Sequence, residues 1–111
     1  MLRFRRLSQT EITALKQVAA IAAGFLSGKS DPLTTIRRIL EILGDVDRCD
    51  DPGIRTIAEI DRATAHLPDP EHRGLWDPAA LATKDLEIEA HFRRAGPKLR
   101  EACEHIVAKW R

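Results

Sequence analysis

Apolar residues recur every three to four positions along most of the chain, the spacing that places side chains on one face of an α-helix. The first such stripe lies between residues 12 and 26. Ser8 and Glu11 precede it with the S-x-x-E spacing of a capping box, in which two side chains satisfy free backbone N–H groups. Gly28 follows as a stop signal. The pattern predicts a first helix that begins near Ser8 or Thr10 and ends before Gly28.

Asp-Pro pairs mark the starts of three further helices, at residues 31–32, 51–52 and 77–78. Each pair places an N-capping aspartate before a proline at the first helical position. An N–H group at that position makes no hydrogen bond within the helix, so its absence in proline costs nothing. Gly44 predicts the end of the second helix. The third should end before Pro68, because the residue before a proline resists the helical conformation.

Gly96 and Pro97 predict a break or kink in the fourth helix, since proline removes a backbone hydrogen bond and crowds the preceding turn. The final segment, from Lys98 to Trp110, carries the most regular apolar stripe of the chain. Helical segments joined by short connections predict an all-α fold, a single-domain bundle of four to five helices over residues 1–111.

The composition agrees with this fold class. Of the 111 residues, 43% are hydrophobic and 32% charged, which is typical of a globular protein rather than a disordered one. There is no Tyr and there are only three Phe, so residues that favour strands are scarce. The length suits one domain with one core.

Charge and hydropathy narrow the choice of partners and compartment. The formal net charge is +1, which gives no general attraction to nucleic acid. No apolar run approaches the roughly 20 residues that span a bilayer, and no signal-type apolar region follows the basic N-terminus. We therefore expect a cytoplasmic protein with no membrane contact. In that compartment Cys49 and Cys103 are expected to be free thiols.

The most distinctive stretch runs from Glu59 to Asp85. It holds two of the four His, one of the two Trp and three of the six Pro. A polar connection that carries a Trp is where a small helical domain presents a binding surface. We predict that the residues contacting a partner protein are Asp61, His66, His72, Arg73, Trp76 and Asp85.

Two alternatives stay open for this stretch. Asp61, His66, Arg73 and Asp85 could instead form a polar network that pins the loop across the bundle. Trp76 is either a lid over the core or an anchor for a partner, and the lid is favoured because Trp is highly buried on average.

A metal-dependent hydrolase built on Asp61, His66, Asp85 and Glu89 is an alternative function. Glu87 and His91 lie one helical turn apart, a spacing that can present two ligands to one ion. Di-metal bundles use Glu-x-x-His from paired helices. The spacing here is one residue longer and has no second copy, so we predict no metal site and no cofactor.

The acidic residues 45–51 raise the question of a calcium loop. An EF-hand needs oxygen ligands at positions 1, 3 and 5, Gly at position 6 and Glu at position 12. Counted from Asp45, position 5 is Cys49, position 6 is Asp50 and position 12 is Thr56, so the pattern fails. Asp51 is better explained as a helix cap. The other aspartates are expected to be solvated or to contact a basic partner.

Nucleophilic catalysis has weak support, and we predict no catalytic residues. Cys103 lies on the apolar face of the last helix and is expected to be a small core residue, while Cys49 has acidic neighbours that raise a thiol pKa.

Nucleic-acid binding is the other alternative, carried by two basic stretches that could neutralise phosphates. The chain has one Gln and no Asn, so the usual adenine-reading side chains are almost absent. The basic residues are Arg3, Arg5, Arg6, Arg93, Arg94, Lys98 and Arg100.

A resemblance covers about half of the chain. It rests on Glu59-Ile60-Asp61, His66-Leu67-Pro68, Arg73-x-x-Trp76-x-Pro78, Leu81-Ala82-x-Lys84-Asp85-x-Glu87-Ile88 and Ala102-Cys103-x-x-Ile106. These segments resemble a group of small, all-helical bacterial proteins of unknown function. Proteins of this kind are often suspected of being immunity proteins or regulatory binding partners, an analogy of size and fold.

The leading functional hypothesis is a non-enzymatic module that binds another protein, with neutralisation of a toxin as its specific form. A second copy of the chain is a further candidate partner. An apolar stripe left free on the second helix is the expected site of such self-association.

Overall fold

Four α-helices and one 3₁₀ helix form the part of the chain that the computed structural model describes, residues 7–44 and 51–111. The all-α prediction is confirmed, since no described residue belongs to a strand. None of the described helices is long and apolar enough to cross a membrane. In chain order the elements are α1 (Gln9–Leu26), α2 (Pro32–Leu43), α3 (Pro52–Ala63), the 3₁₀ helix (Pro70–Leu75) and α4 (Pro78–Trp110).

Several sequence features lie outside the described residues. They are the N-terminal arginines, most of the acidic stretch that was compared with a calcium loop, and one of the two cysteines. The residues concerned are Arg3, Arg5, Arg6, Asp45, Asp47, Cys49 and Asp50.

The predicted helix starts are confirmed by their hydrogen bonds. The N–H of Glu11 donates to the Ser8 hydroxyl at 3.1 Å, and the N–H of Ser8 donates to the Glu11 carboxylate at 3.2 Å. Each of the three Asp-Pro pairs caps a helix, with the aspartate accepting backbone N–H groups of the first turn. Gly44 ends α2 with a φ of 43°, a conformation that favours glycine.

Helix α3 ends before Pro68 as predicted, but earlier than Pro68 requires, and the predicted alternative of a break at Gly96-Pro97 is wrong. Helix α3 ends at Ala63, five residues before Pro68, because the buried Thr64 caps it and its hydroxyl donates to the Ile60 carbonyl at 2.8 Å. Helix α4 is one continuous helix of 33 residues that passes through Pro97. Pro97 is exposed, so water can satisfy the carbonyl group that loses its N–H partner.

The core lies where α1, α2, α3 and the C-terminal part of α4 meet. The apolar stripe of α2 belongs to it, so this stripe is covered within the molecule, and self-association through α2 stays a prediction. The fully or nearly buried apolar residues include Leu15, Val18, Ala22, Leu33, Ile36, Ile39, Leu43, Ile54, Ile57, Leu99, Cys103 and Ile106.

Helices α3 and α4 approach each other closely at Gly53. A Cβ atom there would lie 3.0 Å from the Ala102 carbonyl oxygen and 3.0 Å from the Ile106 side chain. The adjacent cap residue Asp51 is 1% exposed and accepts a 3.0 Å hydrogen bond from Lys109 Nζ of α4. The start of α3 is thus attached to the end of α4 by both packing and charge.

The surroundings of Asp51 decide its ionisation. Burial by itself would raise the pKa of this carboxyl group. The N–H of Ile54 and the charges of Lys109 and His105 outweigh that effect, so the pKa lies below its ordinary value. Asp51 is therefore ionised near neutral pH and stabilises both helices.

Candidate functional site

The segment between α3 and α4, residues 64–77, is called the central loop. It begins where Thr64 caps α3 and ends where Asp77 caps α4. Its middle is the 3₁₀ helix Pro70–Leu75, in which Pro70 occupies the first position as proline does at α-helix starts. Local capping therefore defines both ends of the loop.

Arg37 of α2 holds the first part of the central loop. Its guanidinium donates to Asp69 Oδ1 at 2.8 Å, to the Thr64 carbonyl at 2.7 Å, and also to Asp61 Oδ1. The Arg37 side chain is 19% exposed, so these contacts are partly shielded from water. A planar guanidinium suits this task because it offers several donors in a fixed arrangement.

His66 and Glu87 form a second attachment, between the loop and α4. His66 Nε2 and Glu87 Oε1 are 2.9 Å apart, and Lys84 Nζ lies 3.3 Å from the other carboxylate oxygen of Glu87. Hydrogen bonds from His66 and then Lys84 hold the pKa of Glu87 below its ordinary value. The side chains of His66 and Glu87 are exposed and that of Lys84 is partly exposed, so this attachment is weaker than the one at Arg37.

Arg73 and Asp85 form a third attachment, with two parallel hydrogen bonds. Arg73 Nη1 and Nη2 each donate to one oxygen of Asp85, both at 2.8 Å. The hydrogen bond to Arg73 lowers the pKa of Asp85, and the same bond raises the pKa of Arg73. The bidentate geometry fixes the orientation of the 3₁₀ helix relative to α4.

The remaining residues of the predicted set have looser contacts. His72 Nδ1 lies 3.6 Å from Asp69 Oδ2, and its side chain is well exposed. Trp76 is half-buried, so the structure gives it features of both a lid and an anchor. Its neighbour Leu75 is 85% exposed, which makes it one of two large apolar side chains left in water among the described residues.

The predicted site residues thus lie around one loop, but they do not form one cluster. Asp61, His66 and the Arg73–Asp85 pair are in three separate ion pairs, which is what the pinning interpretation requires. Sequence reasoning missed Arg37, which lies in the neighbouring helix α2 with no signal of its role. It also missed Leu75, whose position beside Trp76 in a polar stretch was an available signal.

The proposed metal ligands are not brought together. Asp61 is bound to Arg37, His66 to Glu87, Asp85 to Arg73, and Glu89 lies 3.2 Å from Arg93. Within residues 7–44 and 51–111, no group of three or more His, Cys, Asp or Glu side chains could hold an ion. The geometry therefore offers no support for the hydrolase alternative in its metal-dependent form.

Cys103 has the environment of a core residue. It is fully buried and free. Burial raises the pKa of its thiol to about 11, so the thiolate needed for nucleophilic attack is scarce at neutral pH.

Comparisons with known proteins add no relative. No family model, no curated protein and no solved structure matches this chain.

Proposed function

We propose that this chain is a cytoplasmic, non-enzymatic module that binds another protein through the central loop, and that it acts as a regulatory or toxin-neutralising immunity protein. The observation that carries this proposal is the 85% exposure of Leu75 beside the half-buried Trp76. Tryptophan is enriched at the centres of protein interfaces, and the exposed leucine beside it adds apolar surface that a partner could cover.

The attachments of the loop to the helices should lower the entropy that the loop loses when a partner binds. A flexible loop loses conformational entropy when a partner immobilises it, and that loss weakens binding. Arg37, His66 and Arg73 already hold the central loop against α2 and α4. The pinning network and the binding surface are therefore compatible interpretations of the same residues, since the network orders the surface.

The predicted contact set divides accordingly. Leu75, Trp76 and His72 are the residues we expect to touch the partner, because they are exposed or half-buried and none of them attaches the loop to α2 or α4. The other four residues hold the loop against the helices through their hydrogen bonds. They are Asp61, His66, Arg73 and Asp85. The immunity or regulatory role rests on the resemblance and on analogy of size and fold.

Affinity capture from the native lysate tests the proposal, with Leu75→Ser and Trp76→Ala as the variants. We expect one stoichiometric protein to be retained by the unmodified chain and each variant to lose more than about 1 kcal/mol of affinity for it. Leu86→Ser is the matched control, because Leu86 is a second exposed leucine that lies outside the loop. Capture that all four proteins share equally would refute a binding surface on the loop.

Melting temperatures of the same variants separate the two roles of Trp76. If Trp76→Ala retains affinity and loses stability, Trp76 is a lid over the core and the contact surface does not include it.

A further inference from the structure

Helices α3 and α4 run side by side in opposite directions and leave a groove between them. The start of α3 approaches the end of α4, and the end of α3 lies beside the middle of α4. Two adjoining cavities of about 330 and 310 Å³ form this α3–α4 groove, and they share Thr56, Glu59 and Lys98. Proteins hold small organic molecules in cavities of this size.

The cavity nearer the central loop has an apolar surface. Ile60 and Ala63 of α3 and Ala95 of α4 line it. Ile60 is 6% exposed, and Ala95 is partly buried against the core. These side chains are aliphatic, and two of them are small, so this part of the groove can accommodate an aliphatic group of a ligand and remove it from water.

Charged side chains of both signs line the groove without pairing with each other. Arg94 and Lys98 lie one turn apart on α4, and Glu59 of α3 lines both cavities together with Lys98. None of the three makes an ion pair with a residue in 7–44 or 51–111. Glu101 lines the cavity farther from the loop, so the positive end of the groove is the end nearer the loop.

His91 adds a polar group at this positive end. It lines the same cavity as Arg94. Its Nε2 atom is shielded from water and makes no hydrogen bond to any described residue. A shielded polar atom without a partner is unfavourable. No hydrogen bond holds the imidazole in this orientation, so the ring can turn to donate to a ligand.

We propose that the α3–α4 groove binds a free α-amino acid with an aliphatic side chain. The carboxylate of the ligand lies between Arg94 and Lys98, where it accepts charge-assisted hydrogen bonds. Its ammonium group donates to Glu59. Its side chain covers Ile60 and Ala63 and is thereby removed from water.

The charges of the groove select this class of ligand. A simple anion would be repelled by the Glu59 carboxylate, and a simple cation by Arg94 and Lys98. Because Glu59 and Lys98 line the same part of the groove, the two charges of the ligand must lie close together, as they do on the α-carbon of an amino acid. The inference does not rest on the proposed function, because no residue of the groove belongs to the central loop.

An NMR chemical-shift titration of the full chain with L-leucine tests the proposal. We expect saturable shifts that are confined to the amides of residues 53–63 and 91–105. Three related compounds should each bind about tenfold more weakly, since each lacks one of the groups that the groove recognises. L-Leucinamide lacks the carboxylate, N-acetyl-L-leucine lacks the ammonium group, and glycine lacks the aliphatic side chain.

Variants of the groove assign each charge to its partner. Glu59→Gln and Lys98→Gln should each weaken the binding of L-leucine by about tenfold. Glu59→Gln should also lose the preference for L-leucine over N-acetyl-L-leucine, because the ammonium group then has no carboxylate to meet. Glu104→Gln and Arg100→Gln are the matched controls, since both residues are exposed on α4 outside the groove, and they should leave the affinity unchanged.

The unliganded spectra show whether each variant is folded, so a loss of binding is distinguished from a loss of structure. The absence of saturable shifts with L-leucine, shifts centred outside the groove, or equal affinity for the four compounds would each overturn the proposal. A Glu59→Gln protein that still prefers L-leucine over N-acetyl-L-leucine would do the same.

Discussion

The two ends of α4 are stabilised in different ways. At the C-terminal end, Leu99, Cys103 and Ile106 are completely buried against α1 and α3. At the N-terminal end no side chain is completely buried, and the helix is joined to the central loop by the exposed pairs His66–Glu87 and Arg73–Asp85. One continuous helix therefore connects a packed region to a charged one.

This difference has an energetic meaning. Burying a large aliphatic side chain contributes roughly 1.5–3 kcal/mol, whereas an exposed ion pair contributes about 0.2–1 kcal/mol. The C-terminal end of α4 should therefore open only when the whole protein unfolds. The loop and the N-terminal end should open locally at lower free energy, as binding surfaces commonly do.

The largest expected effect comes from a cavity in the packed region. Ile106→Ala should lower the free energy of unfolding by about 3 kcal/mol, because Ile106 is fully buried. Leu75→Ala is the control in the charged region and should change it by less than about 0.5 kcal/mol. Urea unfolding followed by circular dichroism measures both. Equal losses would show that the two regions do not differ as described.

Two helix caps sharpen the same comparison. Asp51→Ala removes a buried cap that also binds Lys109, and we expect a loss of about 2 kcal/mol. Asp77→Ala removes the exposed cap of α4, and we expect about 1 kcal/mol. Thermal unfolding at neutral pH gives both values.

The loss in Asp51→Ala should depend on pH. Because the folded pKa of Asp51 lies below its ordinary value of 3.8, its ionised form stabilises the folded state fully above that value. The contribution disappears as pH falls through the folded pKa. The difference between Asp51→Ala and the unmodified protein should therefore narrow below pH 3.8 and stay constant from there to neutral pH. A difference that grows on acidification would contradict the assignment.

Replacing two helical glycines by alanine should change the stability of the protein in opposite directions. Gly53→Ala places a methyl group 3.0 Å from the Ala102 carbonyl oxygen, and we expect it to destabilise the protein by about 1–2 kcal/mol. Gly96→Ala meets no atom within 4 Å, and the higher helix propensity of alanine should stabilise α4 by up to about 1 kcal/mol. Melting temperatures that shift in the same direction for both variants would rule out the close contact at Gly53.

The smallest expected effect is a local loss of protection from amide exchange in the central loop at acidic pH. The pKa values of Asp85 and Glu87 are held below their ordinary values by hydrogen bonds with Arg73 and His66 respectively. Both carboxylates therefore stay ionised above their ordinary pKa values, and these contacts are lost as pH falls through the folded pKa values. Amide exchange in residues 70–76, expressed relative to the intrinsic rate at each pH, should lose protection there while the core stays protected. In Asp85→Asn the loop should exchange faster at neutral pH already, with a weaker response to acid.

Local signals in the sequence were sufficient for most of the fold. The capping box at Ser8, the three Asp-Pro starts and the stop at Gly44 all occur as predicted. These signals work because the atoms involved are within four residues of each other, so their geometry follows from the helix itself. The same holds for Cys103, whose place on the apolar stripe predicted its burial.

The prediction failed where distant contacts outweighed local preference. Gly96 and Pro97 were expected to break or kink α4, and the break does not occur. Residues before and after Pro97 pack on the core, with Phe92 and Ala95 partly buried and Leu99 fully buried. Helix α3 does end before Pro68, but its end is at Thr64, whose carbonyl group accepts a hydrogen bond from the distant Arg37.

The sequence by itself determined the helices, their caps and the apolar faces, because these depend on periodicity and on neighbours along the chain. Only the tertiary structure decided which charges meet. Arg37 binds residues 24 to 32 positions away, and long, flexible charged side chains carry no signal in the sequence that selects such partners. The tertiary structure also decided that Leu75 and Leu86 are exposed, because an apolar residue is buried only if another element covers it.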